Sequence, residues 1–262
     1  MDFAPDSFPL VVAHRGASAA YPENTLESFL AAVRAGAEAV EMDVRLSADG
    51  VPVVVHDGDV ARTAGATGLV HELTVAELQA LDVSGGRSGH GPARIPTLAE
   101  VLEALSGRVG LDLEIKNIPG EPAFDSPREA IVEATLAALE ATPFDGPVLL
   151  SSFNWLAIAR SRELAPEVPT ALLTLGDVDP ATSLAFARKA GHRWILPQAE
   201  AVLAAGQGFL EGAREAGILV GTWVTDDEED LRRLFRLGVD AVATNDPALA
   251  VAVRNSERHE VS

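Results

Sequence analysis

Short apolar, β-rich runs alternate with helical patterns along the chain, glycines punctuate the helix-to-strand passages, and polar groups collect at the strand ends. Together these predict an α/β protein closed as a parallel (β/α)8 barrel. With the run 51–55 set aside, eight strand–helix units follow in series. Strands are expected at residues 10–13, 39–45, 111–115, 148–151, 170–173, 194–196, 219–224 and 241–243. Helices are expected at 25–35, 98–105, 127–141, 155–164, 181–190, 199–216, 227–237 and 247–253. Asn24 and Glu27 are spaced as a capping box ahead of the first helix, and Thr97 and Glu100 ahead of the second. Gly36, Gly191, Gly217 and Gly238 each stand past a helix and before a strand, where αβ loops favour glycine. A doubly wound open sheet is the runner-up, but it usually has fewer strands.

An insertion of about residues 46–95 separates the second strand from the second helix. The strand that leads into it carries Glu41 and Asp43, one residue apart, so it presents both on one face. The Asp49-Gly50 dipeptide signals a hairpin, and the run from Val51 to Val55 returns to His56-Asp57. With Asp49 and Gly50 as the two loop residues, Asp43 is expected opposite His56. A short helix near 74–81 and a Gly-rich loop at 84–91 complete the insertion; the loop does not open a helix and reads as a flexible connection, not a phosphate cradle.

The chain of 262 residues, 47% hydrophobic, is read as one barrel domain over 1–254, with a polar tail at 255–262 expected to be disordered. Having no cysteine, it can build no disulfide framework, zinc-thiolate site or thiol nucleophile. A net charge of −19 argues against nucleic acid or an anionic membrane surface as main partner. The opening residues carry no basic region and only a short apolar run, so a cytoplasmic protein without stable membrane anchoring is expected. The oligomeric state is left open, a homo-oligomer included.

In such a barrel, active residues stand at the C-terminal ends of the strands. Those ends read His14-Arg15, Glu41 and Asp43, Glu114 and Lys116, then Ser151-Ser152, Thr174, Gln198, Trp223 and Asn245-Asp246. Glu41, Asp43 and Glu114 form a hard-oxygen set that suits one divalent cation, Mg²⁺ or Ca²⁺. Arg15 offers a fork for a phosphate or carboxylate and Lys116 a point charge, unless both serve to neutralise the acids. His14 and His56 are candidates for acid and base work. Trp223 is placed to wall the pocket, whereas Trp155 and Trp194 read as packing. His71, His90, His192 and His259 lack matching partners and are expected in surface or loop roles. Ser152 lacks a Gly-x-Ser-x-Gly elbow and is not read as a nucleophile.

From residue 10 to 250 the sequence resembles the glycerophosphodiester phosphodiesterase family. The resemblance rests on an ordered series: His14-Arg15-Gly16, Pro22-Glu23-Asn24-Thr25, Glu41-x-Asp43, Asp49-Gly50, His56-Asp57, Arg62-Thr63, Ile95-Pro96-Thr97-Leu98, Glu114-Ile115-Lys116, Ser152-Phe153, Trp223 and Asn245-Asp246-Pro247. It implies a TIM barrel with an insertion after strand two, and a divalent metal (Mg²⁺, Ca²⁺ or Mn²⁺) on Glu41, Asp43 and Glu114. It implies His14 and His56 as the acid–base pair, and Arg15 and Lys116 holding the phosphate of a small anionic phosphodiester. The family often carries Trp-Thr-Val-Asn where this chain has Trp223-Val224-Thr225-Asp226, and Gly58-Asp59 also departs from the family pattern. Both departures bear on the leaving alcohol. The implied reaction is hydrolysis of a glycerophosphodiester to sn-glycerol 3-phosphate and an alcohol. Lysophospholipase D-like activity on larger lipids is the alternative, and a non-catalytic phosphate-binding barrel a more distant one. The insertion offers no obvious amphipathic element to build a lipid groove.

Overall fold

The computed structural model describes residues 9–87 and 89–260. Residues 1–8, on which part of the leader expectation rests, lie outside them, as do Ser88 of the Gly-rich loop, the side chain of His259 and the last two residues of the tail. Eight strands form a closed parallel barrel: β1 (Leu10–His14), β2 (Ala39–Leu46), β4 (Gly110–Ile115), β5 (Val148–Ser152), β6 (Thr170–Thr174), β7 (Trp194–Pro197), β8 (Leu219–Thr222) and β9 (Ala241–Thr244). β1 pairs in parallel with both β9 and β2, which closes the ring. β3 (Pro52–Val54) lies antiparallel on β2, outside the eight.

Alternation along each strand sorts side chains between the barrel interior and the surrounding helices. Val12, Ala39, Leu149, Ala171, Trp194 and Ala241 cluster inside. The alternate set, such as Val40, Met42, Leu111, Leu113 and Leu150, packs outward against the helices. Above the interior plug the inward positions turn polar: Glu41 is the register partner of both His14 and Asp112, and Asp43 is that of Glu114.

The helices are α1 (Leu26–Ala35), α4 (Leu98–Leu105), α5 (Ala130–Ala141), α6 (Trp155–Leu164), α7 (Pro180–Ala190), α8 (Ala199–Glu215), α9 (Glu228–Leu237) and α10 (Pro247–Glu260). The Thr97/Glu100 capping box is present as expected. The Asn24/Glu27 box is not: Thr25 caps α1 by accepting from the Ser28 amide, and Asn24 takes a left-handed backbone (φ +56°) with its side chain turned to Asp43. α8 is broken at Gly206, whose backbone is non-helical.

The tail expectation is corrected. α10 runs to Glu260, because Glu257 is buried and pairs with Arg232 at 3.1 Å and Arg236 at 2.6 Å on α9. Earlier in the same helix, Arg254 reaches the Pro9 carbonyl and Glu38, tying it to the barrel's first strand.

The insertion adds α2 (Ala61–Ala64), a 3-10 turn (Val70–Glu72) and α3 (Val75–Gln79) around its own apolar cluster of Val53, Val55, Val60, Val70, Leu78, Val83 and Ile95. Its hairpin register is shifted by one from expectation: Val44 faces Val54, and the Val55 amide donates to the Asp43 carbonyl. The loop is Ala48-Asp49-Gly50, closed by Ser47 and Val51, with Gly50 at φ +76°. The Ser47 hydroxyl bonds Asp49 and Val51, which favours this three-residue turn over the tighter one. Asp43 therefore lies opposite Val55, and His56 leaves the ladder at the barrel mouth. Within the Gly-rich loop, Arg87 donates to the Ser18 and Tyr21 carbonyls, fastening it over the first βα turn.

His192 lies in a loop, between α7 and β7, but not at the surface: it is buried, with Nδ1 2.8 Å from the Thr170 hydroxyl. Trp194 is fully buried in the barrel and Trp155 packs on Phe186, as the sequence suggested.

Candidate active site

Glu41, Asp43 and Glu114 converge at the mouth, each offering an oxygen within 4.8 Å of the others, and all three are buried. Two cations answer them. Lys116 Nζ stands 2.9 Å from Asp43 Oδ1 and 2.6 Å from Glu114 Oε1, while Arg15 Nε stands 3.1 Å from Asp43 Oδ2. Asp43, held between both cations, is driven well below the usual carboxylate range despite its burial. Glu114 is raised to about 7 by burial, the Lys116 charge only partly offsetting it. Glu41 is also pushed well up, by burial and then by the charges of Asp43 and Glu114. Its Oε2 accepts from the Arg15 amide at 2.9 Å, but its Oε1 is buried without a partner. Three carboxylates against two cations, with one carboxylate oxygen orphaned, is a donor set that fits a hard divalent ion.

Arg15 and the following Gly16 both have positive φ, +55° and +82°. A Cβ on Gly16 would collide with Ser28, so the turn needs glycine there. That turn aims the Arg15 amide at Glu41 and its side chain at Asp43 and Glu23. Asn24 closes the arrangement from the same loop: its Nδ2 donates to Asp43 Oδ2 at 2.7 Å, and its Oδ1 accepts from the Asp43 amide.

The two histidines flank this cluster and have different partners. His14 Nδ1 meets Asn245 Oδ1 at 2.8 Å, and Asp226 takes the Asn245 side-chain amide at 2.7 Å, so the oxygen faces the ring. His14 must then donate from Nδ1, leaving Nε2 free, 4.0 Å from Glu41. Burial, followed by the Arg15 charge, lowers its pKa to about 4. His56 Nδ1 instead meets a carboxylate, Asp57 Oδ1, at 2.7 Å. Burial also lowers the His56 pKa, while Asp43 and Asp57 oppose the shift. Asp57 is braced by Arg62 Nε at 2.6 Å, and Arg62 forks onto Glu23 at 2.7 and 2.8 Å. Glu23 reaches on to Arg15, completing a chain of charges from the insertion to the first strand end.

A cavity of about 260 Å³ holds His14, Arg15, Glu41, His56, Glu114 and Lys116 on one side. Its other side is apolar: Phe153, Leu173, Leu175, Leu196 and Trp223. Trp223 meets Phe153 edge to face at 5.1 Å, its indole nitrogen bonded to the Leu196 carbonyl. The apolar wall that the insertion does not supply thus comes from the opposite strand ends. Ser152 is occupied structurally, donating to the Ile115 carbonyl.

All eight residues singled out in the sequence lie at this mouth. Reading strand ends found Asn245 without giving it a role, and passed over Glu23, Asn24, Asp57 and Arg62, because their partners lie in other elements. Asp112 was also passed over, although the alternation Asp112-x-Glu114-x-Lys116 was visible and puts it on the same inward face.

A parallel eight-stranded barrel with a buried carboxylate cluster, two histidines and two cations at its C-terminal mouth defines a phosphoric diester hydrolase. The sequence matches the glycerophosphoryl diester phosphodiesterase family over residues 14–249, and the chain belongs to that family. It is 34% identical to a glycerophosphodiester phosphodiesterase of Caldanaerobacter subterraneus subsp. tengcongensis, covering 91% of this chain and 94% of that protein. The fold matches a phosphodiesterase of Oleispira antarctica in complex with the product sn-glycerol-3-phosphate, with TM-score 0.85, 31% identity, and 95% and 97% of the two chains covered. It also matches a glycerophosphodiester phosphodiesterase of Thermotoga maritima, with TM-score 0.76, 28% identity, and 95% and 100% covered. Among the described residues no helix is long and apolar enough to cross a membrane.

Proposed function

We propose that this phosphodiesterase hydrolyses small glycerophosphodiesters to sn-glycerol 3-phosphate and an alcohol, with His14 as general base and His56 as general acid. The observation that carries the reading is the different company of the two imidazoles. His14 is fixed by a neutral amide and has a free Nε2 beside the carboxylates, so it is ready to take a proton. His56 rests on the Asp57 carboxylate, which favours the charged ring and suits a proton donor.

Glu41, Asp43 and Glu114 would hold one divalent ion, Mg²⁺, Ca²⁺ or Mn²⁺, which supplies positive charge to the phosphoryl oxygens. Arg15 and Lys116 add fixed positive charge beside it and orient the phosphate. His14 Nε2 takes the proton of the attacking hydroxyl, either water, which gives glycerol 3-phosphate directly, or the substrate's own 2-hydroxyl, which gives a cyclic phosphate that water then opens. As the P–O bond to the leaving alcohol breaks, His56 Nε2 delivers a proton to that oxygen. The product complex of the Oleispira relative supports glycerol 3-phosphate as the product here.

The test is product analysis on glycerophosphocholine with and without EDTA. Choline and glycerol 3-phosphate are expected, with no turnover under chelation. Release of phosphocholine and glycerol would overturn the reading. A second reading, lysophospholipase D-like activity, draws on the apolar wall, where Leu175 is 53% exposed. A higher kcat/KM on lysophosphatidylcholine than on glycerophosphocholine would favour it.

A further inference from the structure

Beside the carboxylate cluster and above its apolar plug, the barrel interior is left partly open. Strand interiors of this fold are ordinarily plugged by layers of bulky branched side chains. Here the cavity continues downward between Val12, Gly221 and Ala241. Gly221 keeps it open: a Cβ there would stand 2.6 Å from Leu196 Cδ2, so any side chain would displace the wall. Asp112, level with its register partner Glu41 and above Val12 and Ala241, is buried and yet lines the cavity.

Asp112 belongs to no function yet described. The carboxylate group that can share one ion comprises Glu41, Asp43 and Glu114 without it. Its Oδ1 accepts from the buried Ser151 hydroxyl at 2.6 Å. Its Oδ2 takes no hydrogen bond from any described residue. A carboxyl oxygen left bare in an enclosed cavity is costly unless something in that cavity donates to it. Val12, Leu196, Gly221 and Ala241 give the cavity carbon walls beside the polar Glu41, Ser151 and Thr222, which suits a ligand with a short carbon skeleton ending in a hydroxyl. Asp112 stands two residues before Glu114 on β4, about 7 Å back along the strand. A three-carbon polyol esterified to a phosphate at the mouth spans such a depth.

We propose that Asp112, seated on Ser151, is the specificity-determining residue of a polyol subsite, accepting a hydrogen bond from the terminal hydroxyl of the substrate's glycerol. This rests on the phosphodiesterase reading and adds the direction of binding: the glycerol end points down the barrel and the leaving alcohol faces the apolar wall and the mouth.

The experiment compares glycerophosphocholine with 2-hydroxyethyl phosphocholine at saturating metal. The two share the phosphate, the leaving choline and the hydroxyl next to the ester, and differ in the terminal hydroxymethyl group. The wild-type enzyme is expected to prefer the glycerol diester by roughly 10- to 100-fold in kcat/KM, the worth of one hydrogen bond to a buried carboxylate. Asp112→Ala should bring that ratio close to one, Asp112→Asn should keep part of it, and Ser151→Ala should lower it. Because a ratio of two substrates is measured on each variant, losses of metal affinity or of folded fraction cancel. Should Asp112→Ala fail to fold, the Asn and Ser151 variants carry the same comparison, together with competitive inhibition of the wild type by glycerol 3-phosphate against 2-hydroxyethyl phosphate. Equal kcat/KM on the two diesters in the wild type, or an unchanged ratio in the Asp112 variants, overturns the subsite. Hydrolysis of neither diester by the wild type overturns the phosphodiesterase reading itself, and this inference with it.

Discussion

His14 and Asn245 are 231 positions apart in the chain and meet at 2.8 Å. Asp226 holds Asn245 by both its backbone and its side-chain amide, at 2.7 Å each, so the carbonyl oxygen cannot turn away from the ring. This relationship fixes which nitrogen of His14 is free. Asn245→Leu is expected to lower kcat by about 10- to 100-fold, as loss of an orienting partner does at comparable sites, with KM little changed. Asn245→Asp places a carboxylate on the imidazole and raises its pKa, so the acidic limb of the pH–rate profile should move to higher pH. An Asn245→Leu enzyme with unaltered kcat would remove His14's orientation from the mechanism.

Loss of either histidine should be deep and the two losses should overlap. His14→Ala and His56→Ala are each expected to lower turnover by roughly 10²- to 10⁴-fold. The double variant should be scarcely worse than the poorer single one, because the pair acts as a unit. A nitrophenyl ester, whose leaving group needs little protonation, should rescue His56→Ala and not His14→Ala. The reverse pattern of rescue would exchange their roles.

Arg62 touches neither the carboxylate cluster nor a histidine, yet it should matter to catalysis. It joins Glu23 to Asp57, and Asp57 orients His56. Half of the Arg62 side chain is exposed, so its pairs are worth little to stability. Arg62→Ala is expected to leave the melting temperature within a few degrees and to lower kcat by about tenfold or more, acting through the His56 ring. Histidine ring nitrogen shifts in NMR report directly on whether the His56 tautomer has been freed.

Metal removal should change how stability depends on pH. In the metal-free protein burial raises the Glu114 carboxyl from its ordinary 4.5 to about 7. Between those two values the folded state keeps a proton that the unfolded chain has lost, so the Glu114 contribution to stability falls as pH rises from 4.5 to 7, while the lowered His14 and His192 contribute with the opposite sign up to 6.5. Glu41, also raised, acts in the same sense as Glu114. Asp43 has the opposite sign, but its lowered pKa adds stability that is lost only as pH falls below 3.8. Bound Mg²⁺, Ca²⁺ or Mn²⁺ favours ionised ligands, so it should remove the carboxylates' downward contribution, and the stabilisation by metal, read as the melting temperature with the ion minus that with EDTA, should grow as pH rises from 4.5 to 7. Melting curves with EDTA and with each ion across this range make the comparison. An EDTA-treated protein that keeps full activity would sink the metal assignment.

What the sequence determined by itself was the order of elements and the polarity of the strand ends. Barrel strands and helices obey short periods, and local pattern is enough to place Glu41 and Asp43 on one face, or His14 at a strand's end. Tertiary structure decided everything that depends on partners far apart in the chain. The hairpin register turned on Ser47 bonding Asp49 and Val51, a local choice that Asp49-Gly50 alone does not express. Glu257 looked like part of a polar tail until Arg232 and Arg236 of the preceding helix neutralised it, which carries α10 on to Glu260. Asn24, with the spacing of a helix cap, is instead bonded to Asp43 across the mouth. Only closure of the ring brings Asn245 of the last strand end to His14 of the first, and Arg62 of the insertion to Glu23. Hydrogen bonds and ion pairs act over a few ångströms in space, and sequence patterns reach only as far as one element.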